Sequence, residues 1–123
     1  MRWPLVAVLC LATAPGALAQ SSGEEAFQSH CALCHGLDGR GFGPLADAMK
    51  LTPTDLTRLA ARNNGEFPAN RVTDVIRNGG AVLGHGSSAM LAWGKYFAEK
   101  GQPQVAKQRI ADLVAYIKSL QQK

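Results

Sequence analysis

Cys31-Ala32-Leu33-Cys34-His35 is the stretch on which the reading of this chain turns. Two cysteines three positions apart share one face of a helix. Both sulfurs can therefore reach vinyl groups on one side of a porphyrin, and the histidine that follows can swing its imidazole under the iron. C-x-x-C-H is the attachment sequence of c-type haem. Two other chemistries use paired cysteines. A redox-active C-x-x-C follows a strand and sits at a helix N-terminus that lowers the thiol pKa. Here the preceding residues read as helix, since Ser22 and Glu25 have capping-box spacing and Phe27 and Cys31 fall one turn apart. A zinc site takes about four Cys/His ligands, and His30 and His85 stand at spacings that fit no standard zinc module. Haem is the preferred reading, with Cys31 and Cys34 as its covalent anchors and His35 as a metal ligand.

The third cysteine, Cys10, lies in a segment of a different kind. Arg2 precedes an apolar run from Leu5 to Ala14, and Ala17-Leu18-Ala19 has the small-x-small form of a signal-peptidase site. Residues 1–19 read as a cleaved secretory signal peptide, and residues 20–123 as the domain that remains. The apolar run is shorter than the roughly 20 residues a bilayer span needs, and Pro15-Gly16 interrupts it. Leu9, in place of a small residue before Cys10, speaks against a lipid anchor. Export predicts a periplasmic protein with no transmembrane segment after cleavage, in the compartment where c-type haem is attached.

The whole chain is 123 residues and 13.0 kDa, room for one small domain. Thirteen Lys+Arg against nine Asp+Glu give a formal charge of +4 and a pI near 9.2. Hydrophobic residues make up 46% and charged residues 18%, which excludes an acidic disordered tail or a long coiled coil. The basic excess is spread along the chain. It suits an acidic protein partner and not nucleic acid, which would want a clustered patch. A domain this small buries a limited core, a deficit that exported domains offset with disulfides or a cofactor.

Haem iron takes a second axial ligand or leaves that place open for chemistry. The candidates are Met49, Met90, His30 and His85. His30 sits directly before Cys31, on the same side as His35. Met49 follows His35 by a short span for wrapping the far face of a porphyrin. Met90 lies within a Gly/Ser-rich loop, Gly84-His85-Gly86-Ser87-Ser88-Ala89-Met90-Leu91-Ala92-Trp93-Gly94, that can bring a thioether to the iron. Met90 is the preferred second ligand; His85, Met49 and an open site are the alternatives.

Elsewhere the pattern is helical with irregular connections. A first helix is predicted over about 22–33. The glycines of 36–43 are expected to let backbone pass close to a flat cofactor. Thr52-Pro53-Thr54-Asp55 reads as a helix start, with Leu56, Leu59 and Ala60 on one face and Asn63-Asn64-Gly65 as the stop. Pro68 opens another helix with Val72, Val75 and Ile76 inward, ended by Asn78-Gly79-Gly80. The last helix is expected from Pro103 to Gln121, with Ala106, Ile110, Leu113, Val114, Ile117 and Leu120 as its buried stripe.

Taken together the chain resembles the class I cytochrome c family over about residues 22–120. The resemblance is carried by Gly23-x-x-x-Phe27-x-x-x-Cys31 leading into C-x-x-C-H, by the glycine-rich loop ending in Gly43-Pro44, by Met90 followed by Ala92-Trp93-Gly94, and by Asp112-Leu113-Val114-Ala115-Tyr116-Ile117-Lys118. It implies an all-α fold of about four to five helices and glycine-rich loops wrapped around one covalently bound haem c. The first and last helices would cross at Gly23, Phe27 and Tyr116. Cys31 and Cys34 would form thioethers, His35 would ligate through Nε2, and Met90 through sulfur. The Pro44 carbonyl would accept from His35 Nδ1–H, and Trp93 would pack beside the haem. Relatives often carry Pro after the ligand Met, where Leu91 stands here. Arg58, Arg62 and Arg71 are candidate propionate partners.

The implied function is electron transfer without catalysis. A single haem would cycle between Fe(II) and Fe(III), shuttling electrons between redox proteins, at least one with an acidic docking surface, as a monomer or in transient complexes. Two rivals stand beside it. One is a haem enzyme or gas-binding sensor with an open or His85-ligated distal site, and the other is a cytochrome subunit of a larger dehydrogenase or oxidase complex.

Overall fold

A computed structural model describes residues 15–80, 90–100 and 102–123. Residues 1–14, which hold most of the expected signal peptide, and the 81–89 segment with His85 lie outside the described residues. Among the described residues there are five α-helices and three 3-10 turns, and no strand. The helices are α1 (Pro15–His30), α2 (Ala32–His35), α3 (Ala69–Asn78), α4 (Trp93–Lys100) and α5 (Pro103–Ser119); the 3-10 turns are Ala46–Ala48, Leu56–Arg58 and Ala61–Asn63. The all-α expectation holds. No described helix is long and apolar enough to cross a membrane.

The frame of the molecule is the crossing of α1 on α5. Gly23 permits it. A Cβ there would run into the Asp112 carbonyl oxygen and come within 2.9 Å of the Tyr116 Cβ, so the two backbones meet with no side chain between them. One turn on, Phe27 is fully buried and its ring lies 5.3 Å from that of Tyr116, tilted by 55°. Burial of a side chain of this size stabilises by about 1.5–3 kcal/mol, and tilted aromatic pairs add to it. The expected stripe on α5 faces inward: Ala106, Ile110, Leu113 and Ile117 are buried, with Val114 and Leu120 partly so.

Helix α3 also follows its pattern. Pro68 stands at its N-cap, Val72 and Ile76 are buried, and it ends where Gly79 takes φ 80° and donates its N–H to the Val75 carbonyl at 2.8 Å.

Three expectations change. The first helix begins at Pro15, not near Ser22, because Ala17, Leu18 and Ala19 are good helix formers and Pro suits a first helical position. The stretch after Asp55 makes two 3-10 turns and not an α-helix. Asp55 caps the first turn, accepting from the Thr57 N–H at 2.9 Å and the Thr57 hydroxyl at 2.6 Å. The α-type bond from the Ala60 N–H to the Leu56 carbonyl is replaced by the Gln121 carboxamide, which accepts from Ala60 at 2.9 Å and donates to Leu56 at 2.6 Å. The stop is where it was expected, with Asn64 at φ 55° and Gly65 at φ 85°. Finally, α4 lies between the Met90 segment and α5, where no helix was expected. Phe97, only 2% exposed, anchors it.

Candidate haem site

Helix α2 presents the motif. Cys31 continues the helical bonding of α1 through its N–H to the Phe27 carbonyl at 2.8 Å, and the His35 N–H returns to the Cys31 carbonyl at 2.9 Å. A short helix leaves its last carbonyls without partners. The glycine-rich loop supplies them: Leu45, Gly43 and Gly41 donate their N–H groups to Leu33, Cys34 and His35 at 3.0, 3.0 and 2.7 Å. A Cβ on Gly43 would strike the Leu33 carbonyl, and Gly41, at φ 95°, is pressed on the Pro53 carbonyl. The glycines thus bring the loop against the backbone of α2 and of Pro53.

His35 is held from one side. Its Nδ1–H donates to the Thr54 carbonyl oxygen at 2.9 Å, leaving Nε2 for a metal. The acceptor is Thr54 and not Pro44. The backbone around Pro44 is turned to α2 through Gly43 and Leu45, and the Pro44 side chain is exposed. Residues 53–54 take its place because the Leu56 N–H is tied to the Gly39 carbonyl at 2.8 Å and Gly41 admits Pro53. Burial lowers the His35 pKa below the ordinary histidine value, against the opposing pull of the Thr54 bond. The neutral imidazole is the form that ligates metal.

The two cysteines are free thiols in the described chain, Cys31 buried and Cys34 half-buried. Burial, with the neighbouring Cys34, pushes the Cys31 thiol up to about 12. A redox-active pair needs a lowered attacking thiol, so the environment of Cys31 opposes that alternative. Among the described residues no three His, Cys, Asp or Glu side chains converge as a metal-binding group. The donor set of two thiols and one oriented neutral imidazole fits covalent haem. Leu33, 53% exposed between the cysteines, and Leu45, joined to it through the backbone, offer apolar surface for a porphyrin to cover.

Met90 is half-buried against the core, with its carbonyl oxygen 3.4 Å from the Gly80 N–H that donates to it. Trp93 is half-buried in an aromatic group that sequence reasoning missed. Its ring lies 5.3 Å from His30, 5.4 Å from Tyr96 and 5.8 Å from Phe97. His30 also meets the Phe97 ring at 5.3 Å, and Arg109 lies over that ring at the same distance. Burial, then the Arg109 charge, lowers the His30 pKa. The spacing of Trp93, Tyr96 and Phe97 on one helical face was the available signal. Trp93, three residues after Met90 in sequence, packs on His30, which directly precedes the motif. Of the candidate propionate partners, Arg58, Arg62 and Arg71 are all exposed, and the charges of the first two act on Asp55. Met49 is half-buried beyond the Ala46–Ala48 turn.

The family model for cytochrome c matches residues 20–121. No curated protein matches the chain. The match covers the crossing helices, the C-x-x-C-H helix with its glycine loop, the Met90 segment and α5. It brings with it one covalent haem c, whose demand for two thiols and an oriented imidazole the site meets. By sequence match, by all-helical architecture and by the chemistry of its motif, the chain belongs to the cytochrome c family.

Proposed function

We propose that this electron-transfer haem protein is a periplasmic monohaem carrier, with no catalytic activity of its own, whose haem is bound by Cys31 and Cys34 and ligated by His35 and Met90. The observation that carries the reading is the bond from His35 Nδ1–H to the Thr54 carbonyl. It fixes the tautomer and the ring orientation, so that Nε2 is the nitrogen offered to iron. When bound, the haem supplies one reversible electron. The chain's part is to hold both ligands still between the two charge states. Thr54 does so for His35, and the core packing of Met90 does so for the thioether, which favours the ferrous state and raises the potential. A closed ligand set leaves no place for a substrate.

Residues 1–19 serve as the export signal in this reading. The family match beginning at residue 20 supports the cut after Ala19. Cleavage removes the first turn of α1 and leaves Ser22 and Glu25 in capping-box register near the new end. The basic balance of the chain suits a redox partner with an acidic rim, met in a transient complex.

Absorption spectra of the purified protein in both redox states test the ligand set. The expected result is a c-type spectrum with the weak near-infrared band of ferric iron–thioether ligation and no carbon monoxide binding by the ferrous form. Absence of that band with ready carbon monoxide binding would establish the open-site alternative. N-terminal sequencing of the exported protein is expected to begin at Gln20.

A further inference from the structure

Leu91, 63% exposed, gives the segment after Met90 no anchor of its own. The backbone from Met90 to Ala92 instead lies flat on Gly79, the residue that ends α3. A Cβ built on Gly79 would come within 2.7 Å of the Met90 carbonyl oxygen, 3.3 Å of the Ala92 nitrogen and 3.4 Å of the Leu91 carbonyl carbon. Gly79 also takes φ 80°, a conformation that side chains strain. The next residue, Gly80, donates its N–H to the same Met90 carbonyl at 3.4 Å. A second close approach lies one turn further on. Gly94, in the first turn of α4, sits where a Cβ would meet the Arg77 carbonyl oxygen at 2.7 Å and the Arg77 Cγ at 2.8 Å. The end of α3 therefore meets the chain entering α4 at two points, Gly79 on the Met90–Ala92 backbone and Arg77 on Gly94, and Met90 belongs to the first.

We infer that Gly79 and Gly94 are positioning residues for the Met90 thioether, setting its distance from the iron through the contact between the end of α3 and the start of α4. This rests on Met90 being the second ligand. A methyl group at either glycine must push the Met90–Trp93 segment away from α3. That displaces the sulfur while Cys31, Cys34 and His35, which belong to α1, α2 and the glycine loop, keep their places.

The test uses the haem-loaded wild type and three variants, Gly79→Ala, Gly94→Ala and Gly65→Ala. Gly65 has φ 85° and nothing within 4 Å of a built Cβ, so its variant carries the backbone strain of Gly79→Ala without the contact. The readouts are the near-infrared iron–thioether band and the fraction of ferrous protein that binds carbon monoxide. Gly79→Ala is expected to lose most of the band and to raise the carbon monoxide-bound fraction at limiting gas by about tenfold, equivalent to about 1.4 kcal/mol of lost thioether ligation. Gly94→Ala, which carries no left-handed strain, is expected to weaken the band in the same direction, and it decides the question if Gly79→Ala does not fold. Gly65→Ala is expected to keep the wild-type band. Retention of the band in both Gly79→Ala and Gly94→Ala, or its equal loss in Gly65→Ala, overturns the inference. A wild type without the band overturns the Met90 assignment itself, and the inference with it.

Discussion

The side-chain amide of Gln121 donates to the carbonyl of Leu56 at 2.6 Å, across 65 positions of sequence. The same carboxamide accepts from the Ala60 N–H at 2.9 Å and donates to the Ile117 carbonyl at 2.9 Å. Leu56 and Ala60 are the two ends of an α-helical bond that the 56–60 segment does not make. The end of α5 thus enters a turn on the other side of the motif and holds it open. Gln122 reinforces the junction through its N–H to the Thr57 carbonyl at 2.9 Å.

Replacing Gln121 by Ala leaves three backbone groups without these partners in a half-buried junction. A loss of about 1–3 kcal/mol is expected, since the Leu56 carbonyl and the Ala60 N–H must find water or go unpaired, while the Ile117 carbonyl keeps the Leu120 N–H at 3.2 Å. Denaturant unfolding of the haem-loaded protein measures it, and an unchanged midpoint would show that water replaces the carboxamide at no cost.

Gly23→Ala places a methyl group on the Asp112 carbonyl and against Tyr116. No flexible side-chain end is available to move aside, so α1 and α5 must separate. Overpacking of this kind costs about 1–3 kcal/mol, and the lowered melting temperature is read by far-ultraviolet circular dichroism. Tyr116→Phe, which keeps the ring on Phe27, should fall well short of that loss.

Acid sensitivity is expected at Asp55. Burial raises its pKa, but the Thr57 hydroxyl and N–H bonds, with the Arg62 and Arg58 charges, outweigh that and hold it below the ordinary carboxylate value. A carboxyl depressed on folding contributes stability above its unfolded pKa of about 3.9, and that stability is lost as pH falls through the lower folded value. Asp55→Asn should therefore be less stable than wild type near neutrality, with the difference closing in strong acid. Paired pH titrations of unfolding midpoints would contradict this if the gap stayed constant.

Met90→Ala should remove the near-infrared iron–thioether band, open the ferrous form to carbon monoxide and lower the midpoint potential, because thioether ligation favours the ferrous state. His85→Ala should leave all three as in the wild type. The reverse pattern would transfer the ligand role to His85.

How much of this could be read from the letters differs by the kind of group involved. The α1–α5 crossing was legible through the family resemblance, because its contact rests on side-chain identities that a sequence displays: no side chain at Gly23 and aromatic rings at Phe27 and Tyr116. The buried stripe on α5 was legible from the helical period of its apolar side chains. The Thr54 acceptor was not. A carbonyl is present at every position, and which one reaches His35 depends on how tightly Gly41 lets Pro53 approach. The turns after Asp55 were misread because the group that interrupts the helix, Gln121, arrives from the far end of the chain. Helix α4 was missed because Gly94 in its first turn looks like a breaker, while its lack of a side chain is what seats the helix on Arg77.

The partners that the glycine loop gives α2 have a kinetic consequence. The carbonyls of Leu33, Cys34 and His35 are all satisfied from within residues 31–45, so these three bonds ask nothing of distant chain. Closing a loop of about ten residues takes on the order of 10–100 ns. The Gly80–Met90 and Leu56–Gln121 bonds instead wait on the packing of α3, α4 and α5. The expected order of assembly is cysteine-bearing segment first, Met90 segment later. Pulse-labelled hydrogen exchange during refolding should find the Gly41, Gly43 and Leu45 amides protected before that of Gly80, and the opposite order would refute it. On that schedule the anchoring thiols are arranged while the rest of the domain is still unformed.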